Sequence, residues 1–253
     1  MEFTGKVAIV TGGTGGIGQA MARAFAEKGA TVCVADLDGA AVAGVAKELP
    51  NKSFGLALDV RRRESIDAVV RETVARAGGI DFLINNAGVF DSTPMLEASE
   101  QTFENVFSVN VRGMFFMMQA VARQMIAQKR GRAIVNTASI AGRVGHGISP
   151  VYCASKAAVI SFTQSAAGTL IRYGINVNAI APGPIKTPMW DEVEQGFQKQ
   201  QNLSAADTIV ASLPARRLGT PADLVGAALF LCSDAASYIV GQTWNIDGGS
   251  RME

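Results

Sequence analysis

The sequence predicts an α/β fold: a parallel sheet covered by helices on both faces, in a single domain of 253 residues. Short β-branched or apolar runs alternate with longer amphipathic segments along the chain, the pattern left by repeated βαβ units. The first run ends in a cluster of glycines that leads directly into a helical pattern. No Pro/Ser-rich linker, low-complexity tract or solenoid repeat divides the chain, so one unit over 1–253 is the economical organisation.

Seven runs read as strands: "KVAIVT" (6–11), "TVCVAD" (31–36), "SFGLALDV" (53–60), "IDFLIN" (80–85), "RAIVNTA" (132–138), "INVNAIA" (175–181) and "TWNID" (243–247). Most are near-continuous in apolar residues, as strands buried on both faces must be. Helical patterns fall between them near 17–28, 39–48, 63–77, 99–128, 151–173 and 221–232. Two segments break the rhythm. "ASIAGRVGHGISP" (138–150), rich in glycine and serine, reads as a loop at the carboxyl end of a strand. The long proline-flanked stretch 182–221, with the amphipathic piece "MWDEVEQGFQKQ", reads as a lid over roughly 186–215. Ligands of open α/β sheets sit outside the carboxyl ends of the strands, where both segments belong.

Composition narrows the function classes. A formal net charge of +1, with 48% hydrophobic and 18% charged residues, offers no electrostatic basis for binding nucleic acid or an anionic membrane. The N-terminus "MEFTGKVAIVTGG" lacks the basic segment and apolar run of a secretory signal. The most apolar helical candidate, "VRGMFFMMQAVARQMIA", is interrupted by Gln119, Arg123 and Gln124, well short of the ~18 apolar residues of a membrane span. A cytoplasmic protein is expected. Cys33, Cys153 and Cys232 are far apart and His146 is the single histidine, so neither a disulfide framework nor a metal site is expected.

The stretch "IVTGGTGGIG" carries glycines at 12, 13, 15, 16 and 18. Glycine lets the backbone approach a pyrophosphate, and the following helix N-terminus offers unpaired N–H groups and a favourable dipole. Asp36 ends the second strand, eighteen positions after Gly18. A carboxylate there accepts hydrogen bonds from the adenosine ribose of NAD and repels the 2′-phosphate of NADP. Asp36 could equally cap the next helix, a task open to Asp38 as well. Neither the glycine turn nor residues 36–46 contain Lys or Arg, so the expected cofactor is NAD.

In "VYCASKAAVISF", Tyr152 and Lys156 are four residues apart and share one helix face. Alone, the pair suits a half-buried tyrosine beside a lysine reaching for water. Several motifs give it another meaning: T-G-x-x-x-G-I-G at 11–18, L-D-V at 58–60, N-N-A-G at 85–88, Asn110, Ser139, Y-x-x-x-K at 152–156 and P-G-P-I-K-T at 182–187. In this order and spacing the chain resembles the short-chain dehydrogenase/reductase family over nearly its whole length. The resemblance implies a Rossmann-type, doubly wound, seven-stranded parallel sheet and a catalytic set of Asn110, Ser139, Tyr152 and Lys156.

It further implies cofactor contacts from Gly12, Thr14, Gly16, Ile17 and Gly18 in the turn and from Asp36 and Leu37 after the second strand. Asp59, with Val60 beside it, would meet the adenine amino group, with helix capping as the alternative for Asp59. Asn86, Ala87 and Gly88 would line the adenine-ribose side; Pro182, Gly183, Ile185 and Thr187 would follow the sixth strand, the last two at the carboxamide. Tyr152 and Lys156 complete that set, Lys156 through the nicotinamide ribose. Asn110 would hold a water on a proton path from the lysine to solvent.

The chemistry follows from the side chains. Oxidising an alcohol removes the hydroxyl proton as hydride leaves carbon, so a base must stand at the oxygen. A tyrosine has a pKa near ~10, and bringing it toward ~7 needs roughly 4 kcal/mol of phenolate stabilisation. An ammonium ~4 Å away at an effective dielectric of ~20 supplies about that much before desolvation is subtracted. Tyr152 is thus expected to be base in oxidation and acid in reduction, tuned by Lys156, with Ser139 holding the substrate oxygen.

For the substrate, "FFMMQAVARQMIAQ", "VYCASKAAVISFTQSA" and "LIRYGINVNAIAPG" are similar to bacterial polyol dehydrogenases acting on sorbitol or galactitol. His146 and Trp190 are the expected substrate contacts, a polar group for hydroxyls and an aromatic face for C–H surface, with a plain surface loop histidine as the alternative for His146. Two alternatives stay open: a 3-oxoacyl-thioester reductase using NADPH, and a non-catalytic nucleotide-binding regulator. A homotetramer, or failing that a dimer, is expected through helices 99–128 and 151–173. Their apolar stripe Phe115, Met118 and Val121 exceeds what one sheet face requires.

Overall fold

The computed structural model describes residues 2–201 and 204–252. Asn202 and Leu203 of the expected lid, and Met1 and Glu253 of the expected domain, lie outside the described residues. Seven strands, β1 (Val7–Thr11), β2 (Thr31–Asp36), β3 (Phe54–Ala57), β4 (Phe82–Asn85), β5 (Ala133–Thr137), β6 (Asn176–Pro182) and β7 (Thr243–Ile246), form one sheet. Their order is β3-β2-β1-β4-β5-β6-β7, and every pairing is parallel. The chain winds outward from β1 on one side and from β4 on the other, so the topological switch point lies between these two strands.

The helices are α1 (Gly16–Glu27), α2 (Gly39–Lys47), α3 (Arg63–Ala77), α4 (Glu100–Phe107), α5 (Met114–Ala127), α6 (Pro150–Leu170), α7 (Pro188–Gln201), α8 (Ala205–Ser212) and α9 (Pro221–Leu231). They cover both faces and enclose two apolar cores. One core joins α3, α5 and α6 to the sheet through Ile66, Met117, Val121 and Val159; the other joins α1, α2 and α9 through Met21, Phe25, Val42 and Leu224. β1, β4, β5 and β6 are buried along their whole length, as their mostly apolar sequences require, and the buried amides of Asn85, Asn136, Asn176 and Asn178 each donate a hydrogen bond.

Local chemistry sets the helix starts. The Asp38 side chain caps α2 by accepting from the Ala40 and Ala41 N–H groups at 2.8 and 3.1 Å. Pro150 and Pro221 open α6 and α9, and Thr220 with Asp223 closes a capping box on α9.

The structure corrects the sequence reading at four points. The third strand ends at Ala57, leaving Leu58, Asp59 and Val60 in the turn that leads to α3. The single helix expected over 99–128 is three pieces, because a π-helical turn, Ser108–Gly113, stands between α4 and α5. The lid is not an irregular loop: it folds as α7 and α8, linked where the Glu194 carboxylate accepts from the Ala205 and Ala206 N–H groups at 3.0 and 2.9 Å. Finally, Met118 and Val121 point into the core, and Phe115 packs between Phe116 and Phe162. The exposed apolar side chains on this side are instead Met95, Leu96 and Phe103.

At the amino end of the sheet, Asp81 is fully buried just before β4. Its carboxylate accepts from the Val7 N–H at 2.9 Å and from Arg130, with Lys6 3.5 Å away. Burial alone would raise this carboxyl, but the Arg130 and Val7 hydrogen bonds hold it below its ordinary value. A depressed carboxyl stabilises the fold above its unfolded pKa of ~3.9, and that stability is lost as pH falls through the lower folded value. Asp81→Asn is expected to lower unfolding stability at pH 7 by about 2 kcal/mol. The variant should also flatten the loss of stability below pH ~4. Urea denaturation followed by circular dichroism from pH 3 to 7 reads both effects.

Candidate active site

The carboxyl ends of β1, β2 and β4 meet in a stitched turn. Gly12 adopts φ +64°, and a Cβ on Gly18 would stand 2.0 Å from the Gly12 carbonyl oxygen, so the turn closes only with hydrogen at that position. The Thr11 hydroxyl accepts from the Asn86 and Ala87 N–H groups at 2.9 and 3.0 Å. Asn86 Nδ2 donates to the Thr11 and Gly12 carbonyls at 3.2 Å each. These contacts join the two strands that flank the switch point, with Gly16, Ile17 and Gly18 in the first turn of α1.

Asp36 points back into this turn. Its Oδ2 accepts from the Thr14 N–H at 3.0 Å and the Thr14 hydroxyl at 2.5 Å, and its Oδ1 accepts from the Leu37 N–H at 2.7 Å. Capping of α2 is carried by Asp38, which removes that alternative for Asp36. Leu37 is 62% exposed. Asp59 does not cap α3, whose first residue is Arg63. The Arg61 guanidinium grips it in two hydrogen bonds of 2.8 Å and holds its carboxyl below the usual range. Val60 lies beside it in the same turn, buried.

The second half of the site is built on β5 and α6. Ser139 follows β5 and opens a 3₁₀ turn, Ile140–Gly142, its hydroxyl accepting from the Ala141 N–H at 3.1 Å. That turn rests on α6 without a gap: a Cβ on Gly142 would come within 2.6 Å of the Lys156 backbone carbon. Ser139 thereby reaches Tyr152 and hydrogen-bonds it. Lys156 Nζ donates to the Thr137 carbonyl oxygen at 2.8 Å and stands 5.7 Å from the centre of the Tyr152 ring. Asn110, in the π-helical turn, accepts from the Val89 N–H at 2.8 Å and donates to the Val89 carbonyl at 2.9 Å and the Ser155 hydroxyl at 3.0 Å. Gly88 lies between the halves: a methyl-sized group on it would sit 3.3 Å from Asn110 Oδ1 and 3.4 Å from Lys156 Nζ.

Tyr152 and Lys156 are 9% and 4% exposed, a snorkelling lysine in neither length nor surroundings. Burial pushes the Tyr152 hydroxyl up to about 12, with the Ser139 hydrogen bond holding it back, and draws the Lys156 ammonium down to about 8. Burial thus holds the phenol above its ordinary value, the opposite direction from that expected of the Lys156 charge.

Along β6, Pro182 ends the strand, the Gly183 N–H donates to the Ile246 carbonyl at 3.0 Å, and Ile185 is buried against Gly219. Thr187 meets the glycine turn, 3.1 Å from the Cβ position of Gly16. The two expected substrate contacts are less tied to the centre. Trp190 sits half-buried in the first turn of α7, its N–H donating to the Thr187 carbonyl. His146 is exposed in the loop before α6, its imidazole pKa lowered by partial burial and by Arg251.

Sequence reasoning overlooked Phe90, whose ring meets Tyr152 edge-on at 5.0 Å, and Thr137, whose carbonyl holds Lys156. Each lies two residues from a quoted motif, Phe90 after N-N-A-G and Thr137 before Ser139, which was the available signal.

The glycine turn, the Asp36 carboxylate and the α1 N-terminus fit a dinucleotide: a backbone cradle for phosphates, an acceptor for hydroxyls, and no basic side chain in either segment. Among the described residues no three His, Cys, Asp or Glu side chains gather as a metal-binding group, and no helix is long and apolar enough to cross a membrane.

If burial sets the Lys156 ammonium, its ¹³Cε resonance in the ligand-free protein should titrate near 8. A midpoint at the ordinary lysine value of ~10.4 would contradict the buried geometry.

Comparison with known proteins agrees with this architecture. Residues 12–251 match the family model described as enoyl-(acyl carrier protein) reductase. The chain is 47% identical to a sorbitol dehydrogenase of Cereibacter sphaeroides and 45% identical to a galactitol 2-dehydrogenase of Agrobacterium fabrum (strain C58 / ATCC 33970), each over the full length of both chains. The structure of an NAD⁺-bound xylitol dehydrogenase superposes with a TM-score of 0.90 at 36% identity, covering 98% of this chain and 100% of that one. With matching motifs, fold and full-length relatives, this chain belongs to the short-chain dehydrogenase/reductase family of oxidoreductases.

Proposed function

We propose that the protein oxidises a polyol or sugar alcohol to the ketose, with NAD as hydride acceptor and Tyr152 as general base. The observation that carries this reading is the buried Ser139–Tyr152–Lys156 cluster, whose Lys156 Nζ approaches Gly88, on the same carboxyl side of the sheet as the glycine turn and Asp36.

The nicotinamide, when bound, supplies the hydride acceptor and, oxidised, a positive charge beside the phenol. Ser139 holds the substrate oxygen against Tyr152 Oη. Tyr152 takes the hydroxyl proton at Oη in oxidation and returns it in reduction. Lys156, anchored by the Thr137 carbonyl, keeps a positive charge in the cluster at neutral pH and favours the phenolate. Phe90 fixes the ring of Tyr152 from the side, and the close seat of Gly142 on α6 sets how far Ser139 stands from it. Leu37, Asp59, Val60, Asn86, Ala87, Pro182, Gly183, Ile185 and Thr187 belong to the cofactor strip. Trp190 and His146 are offered to the substrate from the lid and the loop, and α7 and α8 form that lid.

NAD is favoured over NADP because β2 ends in the acidic Asp36 and residues 36–46 contain no Lys or Arg to meet a 2′-phosphate. The polyol assignment draws on the sorbitol and galactitol enzymes above. Reduction of 3-oxoacyl thioesters with NADPH is less well served by this acidic ribose end, and an intact Asn110, Ser139, Tyr152 and Lys156 set speaks against a non-catalytic regulator. The protein works in the cytoplasm as a homotetramer, or failing that a dimer. In support, an open groove of about 540 Å³ lined by Met95, Phe103, Val151 and Ala154 offers apolar surface between α4 and α6.

Absorbance at 340 nm with sorbitol, galactitol, xylitol and a 3-oxoacyl thioester is expected to show turnover of a polyol with NAD at least ~10²-fold above that with NADP. Tyr152→Phe should lower kcat by about 10³-fold, and unchanged turnover would remove the proposed base. Light scattering of the purified protein should give four times the 26.5 kDa chain mass; a monomer would contradict the assembly.

A further inference from the structure

Ser155 lies between Tyr152 and Lys156 in α6, is fully buried, and has no part in the proton chemistry described above. Its hydroxyl donates back to the Tyr152 carbonyl oxygen at 2.7 Å, a bond to the residue three positions earlier. The same oxygen accepts from Asn110 Nδ2 at 3.0 Å. Asn110 is 1% exposed, and its other two bonds both go to the Val89 backbone.

Each link constrains the next. The Ser155 proton is committed to the Tyr152 carbonyl, so its oxygen needs a donor, and the Asn110 amide provides one. The Val89 N–H and carbonyl demand the same orientation of that amide. The result fixes Asn110 Oδ1 on the side of Gly88 where Lys156 Nζ also arrives. A buried hydroxyl serving only to stabilise the helix would need one partner; this one joins two elements that are far apart in sequence.

We propose that Ser155 is a positioning residue for the proton chemistry of the site: its hydroxyl locks the Asn110 amide with Oδ1 on the same side of Gly88 as Lys156 Nζ and couples it to the helical turn bearing Tyr152. This rests on the reading of Tyr152 and Lys156 given above. Loss of the hydroxyl leaves a buried amide donor without its acceptor, and the amide regains a second orientation. The consequence appears at Lys156 and Tyr152, not at the dinucleotide turn.

The test is a double-mutant cycle on the full-length protein, with the fastest polyol of the panel and NAD. Ser155→Ala is expected to lower kcat about ten-fold with the KM for NAD changed less than about two-fold. In an Asn110→Ala background the same substitution should cost less than about two-fold, because the group it acts through is already gone. In the ligand-free protein it should shift the Lys156 ¹³Cε titration by about half a pH unit and speed hydrogen exchange of the Asn110 side-chain amide.

Ser155→Thr retains the hydroxyl and should restore the Lys156 titration; it also keeps the test open if Ser155→Ala does not fold. Equal losses in both backgrounds, or an unchanged Lys156 titration in Ser155→Ala, would overturn the proposal. If Tyr152→Phe and Asn110→Ala leave turnover intact, the catalytic reading fails instead. The ligand-free titration then still decides the coupling through Ser155.

Discussion

The contact on which the site depends is the hydrogen bond from Lys156 Nζ to the Thr137 carbonyl, at 2.8 Å in a buried setting. An ammonium taken from water needs partners, and a main-chain carbonyl at the end of a buried strand is one that cannot move away. By accepting it, β5 fixes where α6 lies, and with it the position of Tyr152 one turn earlier. The Gly142 seat on the Lys156 backbone holds the same distance from the other side. Tyr152 and Lys156 thus stand on a helix seated against the sheet, whereas His146 lies in the loop before α6.

The electrostatics of the ligand-free cluster run against its proposed use. Burial drives both side chains toward neutrality, Tyr152 to about 12 and Lys156 to about 8. The enclosure that disfavours a lone phenolate also strengthens every charge brought into it.

At the dinucleotide end the design is different. Asp36 is engaged by Thr14 and Leu37, so the carboxylate shapes the glycine turn. Thr11 and Asn86 do the same across the switch point. These bonds brace the glycine turn from two strands at the place where the winding of the sheet reverses.

Seven strands, six of the helical regions and the residues of the Asn110, Ser139, Tyr152 and Lys156 set were legible in the sequence, because buried parallel strands, glycine turns and proline starts leave local marks. So was the membership of a family, through motifs whose spacing matters more than any one of them. Four matters were decided by tertiary structure alone. The π-helical turn appears where Asn110 must reach both Val89 and Ser155, a demand invisible to helical periodicity. Met118 and Val121 face the core, an orientation of α5 set by its packing against α3 and the sheet. The lid is helical because the Glu194 carboxylate caps α8 from α7, eleven residues away. The sign of the Tyr152 shift depended on burial: spacing puts a lysine near a tyrosine, but only the packing around them says how much water is left to stabilise either charge.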